Sequence, residues 1–172
     1  MRRAHAKLIA IILAVVATTA TGIAAASAQT SAPVSHRGSE HFTIILTSTR
    51  SGVTSVIATG LFTDGGTMNL FSGGPSAEMK LGAGTIRLTP KSPRPPRSKT
   101  DPGTCLTTTS EHGTYRLSHG TGRYAGIRGS GHFSVTDRAI SHRKPNGACV
   151  TTRAPIAVQV IFSLSGSATL GG

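Results

Sequence analysis

Residues 119–133 read HGTGRYAGIRGSGHF, with five glycines, two arginines and one tyrosine in fifteen positions. A stretch of this kind either cradles a phosphate or lets strands turn and approach one another. Gly120, Gly122 and Ala125 satisfy a G-x-G-x-x-A spacing. A dinucleotide site needs that turn between a strand and a helix, so that the helix N-terminus faces the pyrophosphate. The residues that follow, IRGSGHFSV, are glycines and β-formers that oppose a helix. No G-x-x-x-x-G-K-S/T loop occurs elsewhere in the chain. The glycines therefore read as architectural. Gly120 and Gly122 are expected in turns, and Gly126, Gly129 and Gly131 where backbones come close. Tyr124 and Ile127 are expected as plugs, with Arg123 and Arg128 directed to solvent or a pocket.

The flanking chain carries the same signal. HFTIILTS and VTSVIATGLF are rich in Ile, Val, Thr and Phe, which suit a pleated, half-buried surface. Asp64-Gly65-Gly66 reads as a hairpin turn, and Gly82 and Gly84 as a bend or bulge. CLTTTSEHGTYRLS, GHFSVTDRAIS and VQVIFSLSGSATL supply further strands. Beyond the N-terminal apolar run, no stretch keeps an i, i+3, i+4, i+7 apolar face for three turns, so an all-β domain with little or no helix is expected. Two polar segments interrupt it. PKSPRPPRSKTDPG (90–103) contains five prolines and cannot form an interior strand, so it is expected as an exposed loop or extended ribbon. SHRKPNGAC (141–149) is a second polar turn with Asn146-Gly147 at its tip.

The N-terminus has a different layout. Arg2, Arg3 and Lys7 precede an apolar run, Leu8 to Val16, and Ala26-Ser27-Ala28 supplies small residues for cleavage. This is the pattern of a secretory signal, too short and too threonine-rich at its end for a spanning helix. The expected organisation is a signal peptide at 1–28, a flexible leader at 29–38 and one domain at 39–172. Cleavage near Ala28 would leave a secreted chain of 144 residues with no later membrane span, long enough for one real core. The 18 Lys and Arg fall to 15 against 6 Asp and Glu, a formal charge of +9. Cys105 and Cys149 are the only cysteines, and in an oxidising compartment they are expected to pair. Both polar segments lie just before a cysteine, so such a bridge would draw the two basic loops together.

GTYRLSHGTGRYAGIRGSGHFSV is similar to the G-T-G-[KR]-[YF]-x-G-[AI]-x-G-x-G segment of dirigent proteins and allene oxide cyclase-like barrels. Small secreted actinobacterial members look closest, over residues 105–170. The resemblance implies a closed antiparallel eight-stranded barrel around a cavity of small-molecule size, often as a homotrimer. It implies no cofactor. The plant enzymes of that superfamily cyclise an epoxide or steer radical coupling.

Catalytic signals are sparse. Glu40, Asp64, Glu78, Glu111 and Asp137 are the only acids besides Asp101 in the basic loop. Asp137, four residues after Phe133 and next to Arg138, is the one singled out as a general acid or ligand-orienting group, against a strand-end ion pair. Glu40-His41 and Glu111-His112 are adjacent pairs whose members point to opposite strand faces, and no metal-binding spacing occurs. Gly129-Ser130-Gly131 is not a nucleophile elbow. Three functions stay open. The first is a barrel binding a small hydrophobic ligand or serving an extracellular structural role, and the second is a cofactor-free cyclase, isomerase or coupling guide. The third is binding of anionic cell-surface polymer by Lys91, Arg94, Arg97, Lys99, Arg143 and Lys144. Few aromatics are available for stacking, so specific nucleic-acid recognition is not expected.

Overall fold

Along β1 (His36–Leu46), Glu40, Phe42, Ile44 and Leu46 are buried while His41 and Thr43 face solvent. This period-2 alternation fixes which face of the sheet becomes the core. The computed structural model describes residues 35–46, 52–69 and 75–171. The expected signal segment 1–28 and residues 29–34 of the leader lie outside the described residues. β1 begins at His36, so the last residues read as leader are strand.

From β1 the chain runs through β2 (Val53–Gly60), β3 (Asp64–Asn69), β4 (Ala77–Leu81) and β5 (Gly84–Lys91), each antiparallel to the one before. β6 (Arg97–Asp101) and β7 (Leu106–Ser118) follow, then β8 (Arg128–Ile140). β9 (His142–Arg143) and β10 (Cys149–Val150) form a small ribbon, and β11 (Ala157–Leu170) ends the sheet. β11 pairs with both β8 and β1, and β5 pairs with the C-terminal half of β7. These pairings close an eight-stranded antiparallel barrel from β1 to β5, β7, β8 and β11. Closure removes the sheet edges that an open β-sheet must protect. Among the described residues the fold is all-β, with one short 3-10 turn at Gly122–Tyr124.

β7 is longer than the barrel needs. Its N-terminal half, Leu106 to Ser110, pairs with β6 instead of β5, so the wall extends past the barrel mouth as a ribbon. Residues 91–104 are exposed throughout, as the prolines require, yet five of them form an edge strand. Cys105 and Cys149 are bonded. Next to the bridge, the Arg143 guanidinium donates to the carbonyls of Gly103 (2.6 Å), Gly147 (2.7 Å) and Pro102 (3.3 Å). The two basic segments do meet here.

The opposite end is sealed by the glycine stretch. Tyr124 and Ile127 are each 1% exposed and pack into the core with Phe62, whose ring centre lies 4.7 Å from that of Tyr124. Gly122 (φ +58) and Gly126 (φ +73) adopt the left-handed conformation that favours glycine. Gly120 instead lies against the Tyr124 carbonyl, where a Cβ has no room. Gly120 and Gly126 thus exchange the roles expected of them. One other turn reading is corrected and one made specific. Asp64-Gly65-Gly66 lies within β3, and the turn is made by residues 61–63. Gly66 is needed because a side chain there would strike the Lys80 carbonyl of the neighbouring strand. Gly82-Ala83 is a tight two-residue hairpin loop between Leu81 and Gly84, so the chain bends here and does not bulge.

Candidate functional site

The core is built from apolar side chains of modest size, with Phe42, Ile44, Met79, Ile86 and Tyr115 almost fully buried. It does not fill the barrel. Towards the mouth a cavity of about 130 Å³ remains, bordered by Met68, Leu88, Tyr115, Phe133, Phe162 and Leu164. Its lining is largely apolar.

Below Tyr115 the wall is bare. Glu40 stands opposite Gly60 on β2 and Gly166 on β11, Gly166 opposite Gly131 on β8, and Gly131 opposite Tyr115 on β7. No side chain therefore occupies the wall between Glu40 and Tyr115. The tyrosine side chain lies along this strip, and a Cβ placed on Gly166 would sit 2.8 Å from its hydroxyl. At Gly131 a Cβ would meet the Gly166 Cα at 2.7 Å. These two glycines clear the path from Tyr115 towards the acid.

Glu40 has no exposed surface. Its Oε2 accepts from the Phe62 N–H (3.2 Å), while Oε1 has no partner. Burial pushes its pKa up to about 7, against the smaller opposing effect of backbone N–H groups led by Phe62. Near neutrality both protonation states are populated, so the carboxyl can give or take a proton. The Tyr115 hydroxyl is also buried and unpartnered. Burial first, and then the Glu40 charge, push it up to about 12, so it remains a hydrogen-bond donor.

Asp64 shows what a satisfied carboxylate looks like in the same barrel. It accepts from the Tyr124 hydroxyl (2.5 Å) and from the backbone N–H groups of Gly65 (2.7 Å), Ala83 (3.0 Å) and Gly82 (3.2 Å). These bonds, the Tyr124 one foremost, hold its pKa below the usual value. It ties the plug to the β4–β5 turn.

Asp137 continues the inward alternation of Phe133 and Val135, and its Oδ1 is buried without a partner. Burial raises its pKa. The strand-end ion pair considered for it is not formed among the described residues, and its neighbour Arg138 donates to Gln159 Oε1 (3.4 Å). Asp137 pairs in register with Thr109 in the ribbon beyond the barrel, away from the layer of Glu40 and Tyr115. The structure thus brings Glu40 and Tyr115 together, and neither had been singled out. The signal was present in the alternation of Glu40 with Phe42, Ile44 and Leu46, which places an acid on an apolar face.

Of the six cations read as polymer contacts, Lys91, Arg94, Arg97, Lys99 and Lys144 are exposed, while Arg143 is committed to the three carbonyls described above. Among the described residues no three of His, Cys, Asp and Glu are grouped as metal ligands, and no helix is long and apolar enough to cross a membrane. The fold and interior define a disulfide-bonded, closed eight-stranded β-barrel protein with an apolar cavity above a buried acid. No family model matches the chain, and comparison with curated proteins and with solved structures gives no significant match.

Proposed function

We propose that the protein is a secreted barrel of the allene oxide cyclase-like and dirigent-like kind that binds a small, largely apolar ligand at its mouth. The observation that carries this reading is the cavity beside Tyr115. An apolar cavity of about 150 Å³ accepts a molecule the size of benzene. At about 130 Å³, this one suits a single ring or a short branched alkyl group. A larger ligand would insert such a group and leave the rest at the open mouth. The test is native mass spectrometry of the disulfide-intact protein with analysis of its organic extract. A stoichiometric apolar molecule that copurifies supports the reading. An empty protein that also takes up no small aromatic or alkyl probe would reject it.

The second reading is a cofactor-free isomerase or cyclase acting in the same interior, and Glu40 favours it. A carboxyl with a pKa near 7, held in an apolar site with one free oxygen, has the properties of a general acid or base. It would deliver its proton to a developing oxyanion, or withdraw one from carbon, while Tyr115 donates a hydrogen bond. Glu40→Gln separates the readings. Turnover lost with binding retained indicates catalysis, whereas binding with no turnover in either protein indicates a carrier.

A further inference from the structure

The outer face of the ribbon beyond the barrel carries two grooves that open outside the cavity. The Pro-rich segment after β5 arches away and returns as β6. Between this arch and the outer face of β6–β7 lies a groove of about 780 Å³, bordered by Arg94, Arg97, Lys99 and His112. A shallower groove of about 440 Å³ shares Pro93 and His112 with it and continues over Thr114 to His132. Together they make one track across β6, β7 and β8.

We infer that this track is a binding site for an extended acidic polysaccharide, engaged by Arg94, Arg97 and Lys99. The charge argument is local. From Lys91 to Thr100 there are four cations and no acid. Neither the Arg94 nor the Arg97 side chain has a partner among the described residues. Two acids stand nearby and are outnumbered: Asp101 accepts from the Gly103 N–H (2.7 Å) and the Thr104 hydroxyl (2.9 Å) and feels the Lys99 charge, and Glu111, which also borders the groove, accepts from the Ser92 hydroxyl. Strand alternation sets Arg97 and Lys99 on one face of β6, about 7 Å apart, with Ser110 and Thr108 opposite them. Ser98 and Thr100 point to the other face and bond to Thr109 and Thr107, both at 2.8 Å.

The lining selects the class of polymer. Besides the cations and Glu111 it consists of hydroxyls, prolines and the exposed imidazoles of His112 and His132, and its one Phe, Phe133, is buried. The large apolar side chains exposed among the described residues are Ile57, Ile140 and Ile156. Nucleobases would find no exposed Phe, Tyr or Trp to stack on among the described residues. A sugar backbone bearing carboxylates or sulfates matches both the cations and the hydroxylated floor. The site is also held in shape: three prolines restrict the arch, and Arg143 pins the β6–β7 turn. Less ordering is then needed on binding.

The test is binding of defined oligogalacturonates and sulfated oligosaccharides to the full disulfide-bonded protein, with neutral dextran and single-stranded DNA of equal charge as comparators. The variant is Arg94→Ala/Arg97→Ala/Lys99→Ala, and the control is Arg116→Ala/Arg128→Ala/Arg123→Ala, which removes the same charge elsewhere. Binding of an acidic oligosaccharide weakened about tenfold or more in the first variant, and unchanged in the control, supports the inference. Equal weakening in both variants would assign binding to net charge and overturn it. So would unchanged binding in the first variant, no binding at all, or tighter binding of DNA than of either oligosaccharide.

Discussion

Tyr124 donates a 2.5 Å hydrogen bond to Asp64 from 60 residues away in sequence, joining the plug of the barrel to the start of β3. Asp64 also collects three backbone N–H groups from its own strand and the β4–β5 turn. One carboxylate thereby holds the closed end.

Tyr124→Phe and Asp64→Asn are each expected to lower the thermal midpoint by about 3–6 °C. The double variant should fall by clearly less than the sum, because the two groups share one bond. Asp64 titrates below its ordinary value in the folded chain, so its contribution is present above pH 3.8 and is lost as pH falls through the folded value. Thermal melts at pH 7 and pH 3 check both points.

Glu40 gives the opposite pH dependence. Its carboxyl titrates near 4.5 when unfolded and near 7 when folded. Between those values the folded state holds more protons than the unfolded one. Stability from this group is full below pH 4.5 and is lost as pH rises through 7. Glu40→Gln is expected to be more stable than the parent at pH 8 by about 2–3 kcal/mol and to lose this part of the pH slope. Urea unfolding from pH 4 to 8 measures it.

Gly166→Ala tests the bare strip. The added methyl would strike the Ser130 carbonyl and stand 2.8 Å from the Tyr115 hydroxyl. A destabilisation of about 2–3 kcal/mol is expected, together with a changed tyrosine near-UV signal. A variant as stable as the parent, with an unchanged spectrum, would contradict the placement of Tyr115.

Ala77→Phe tests the cavity. Ala77 borders it and is partly exposed, so a ring can fill the space without breaking the core. Uptake of a small aromatic probe, followed by calorimetry, is expected to fall at least about tenfold while the melting midpoint stays near that of the parent.

Replacing Cys105 and Cys149 by serine is expected to cost about 3–4 kcal/mol in a chain-entropy account. The loss should be local in hydrogen exchange. Protection should drop in β6, β9 and β10, and persist around Tyr124 and Ile127.

Much of the barrel was readable locally. β7, β8 and β11 follow the β-rich segments, Tyr124 and Ile127 form the plug, and the members of each Glu-His pair point in different directions. The misreadings have one cause. A glycine that supplies positive φ and a glycine that admits a neighbouring strand look alike in one dimension, so Gly66 was read as a turn and Gly120 and Gly126 were interchanged. Glu40 was missed for a related reason. Its environment comes from Gly60, Gly131 and Gly166, which are brought to it only by register. Asp137 drew attention through its sequence neighbours, and these do not contact it in the way expected. The status of β6 as a strand depends on β7 being longer than the barrel, which the prolines of 90–103 conceal.

The pairing of β1 with β11 sets an order of events during folding. Strands β1 to β5 form a meander of near neighbours, but β1 meets its second partner only when the last 14-residue strand arrives. Contacts this distant in sequence are slow to form. Until then the row Phe42, Ile44 and Leu46 lies beside an unpaired edge, open to a strand from another molecule. β11 therefore acts as the latch of the fold, and losing it would leave a chain that is largely assembled and prone to self-association.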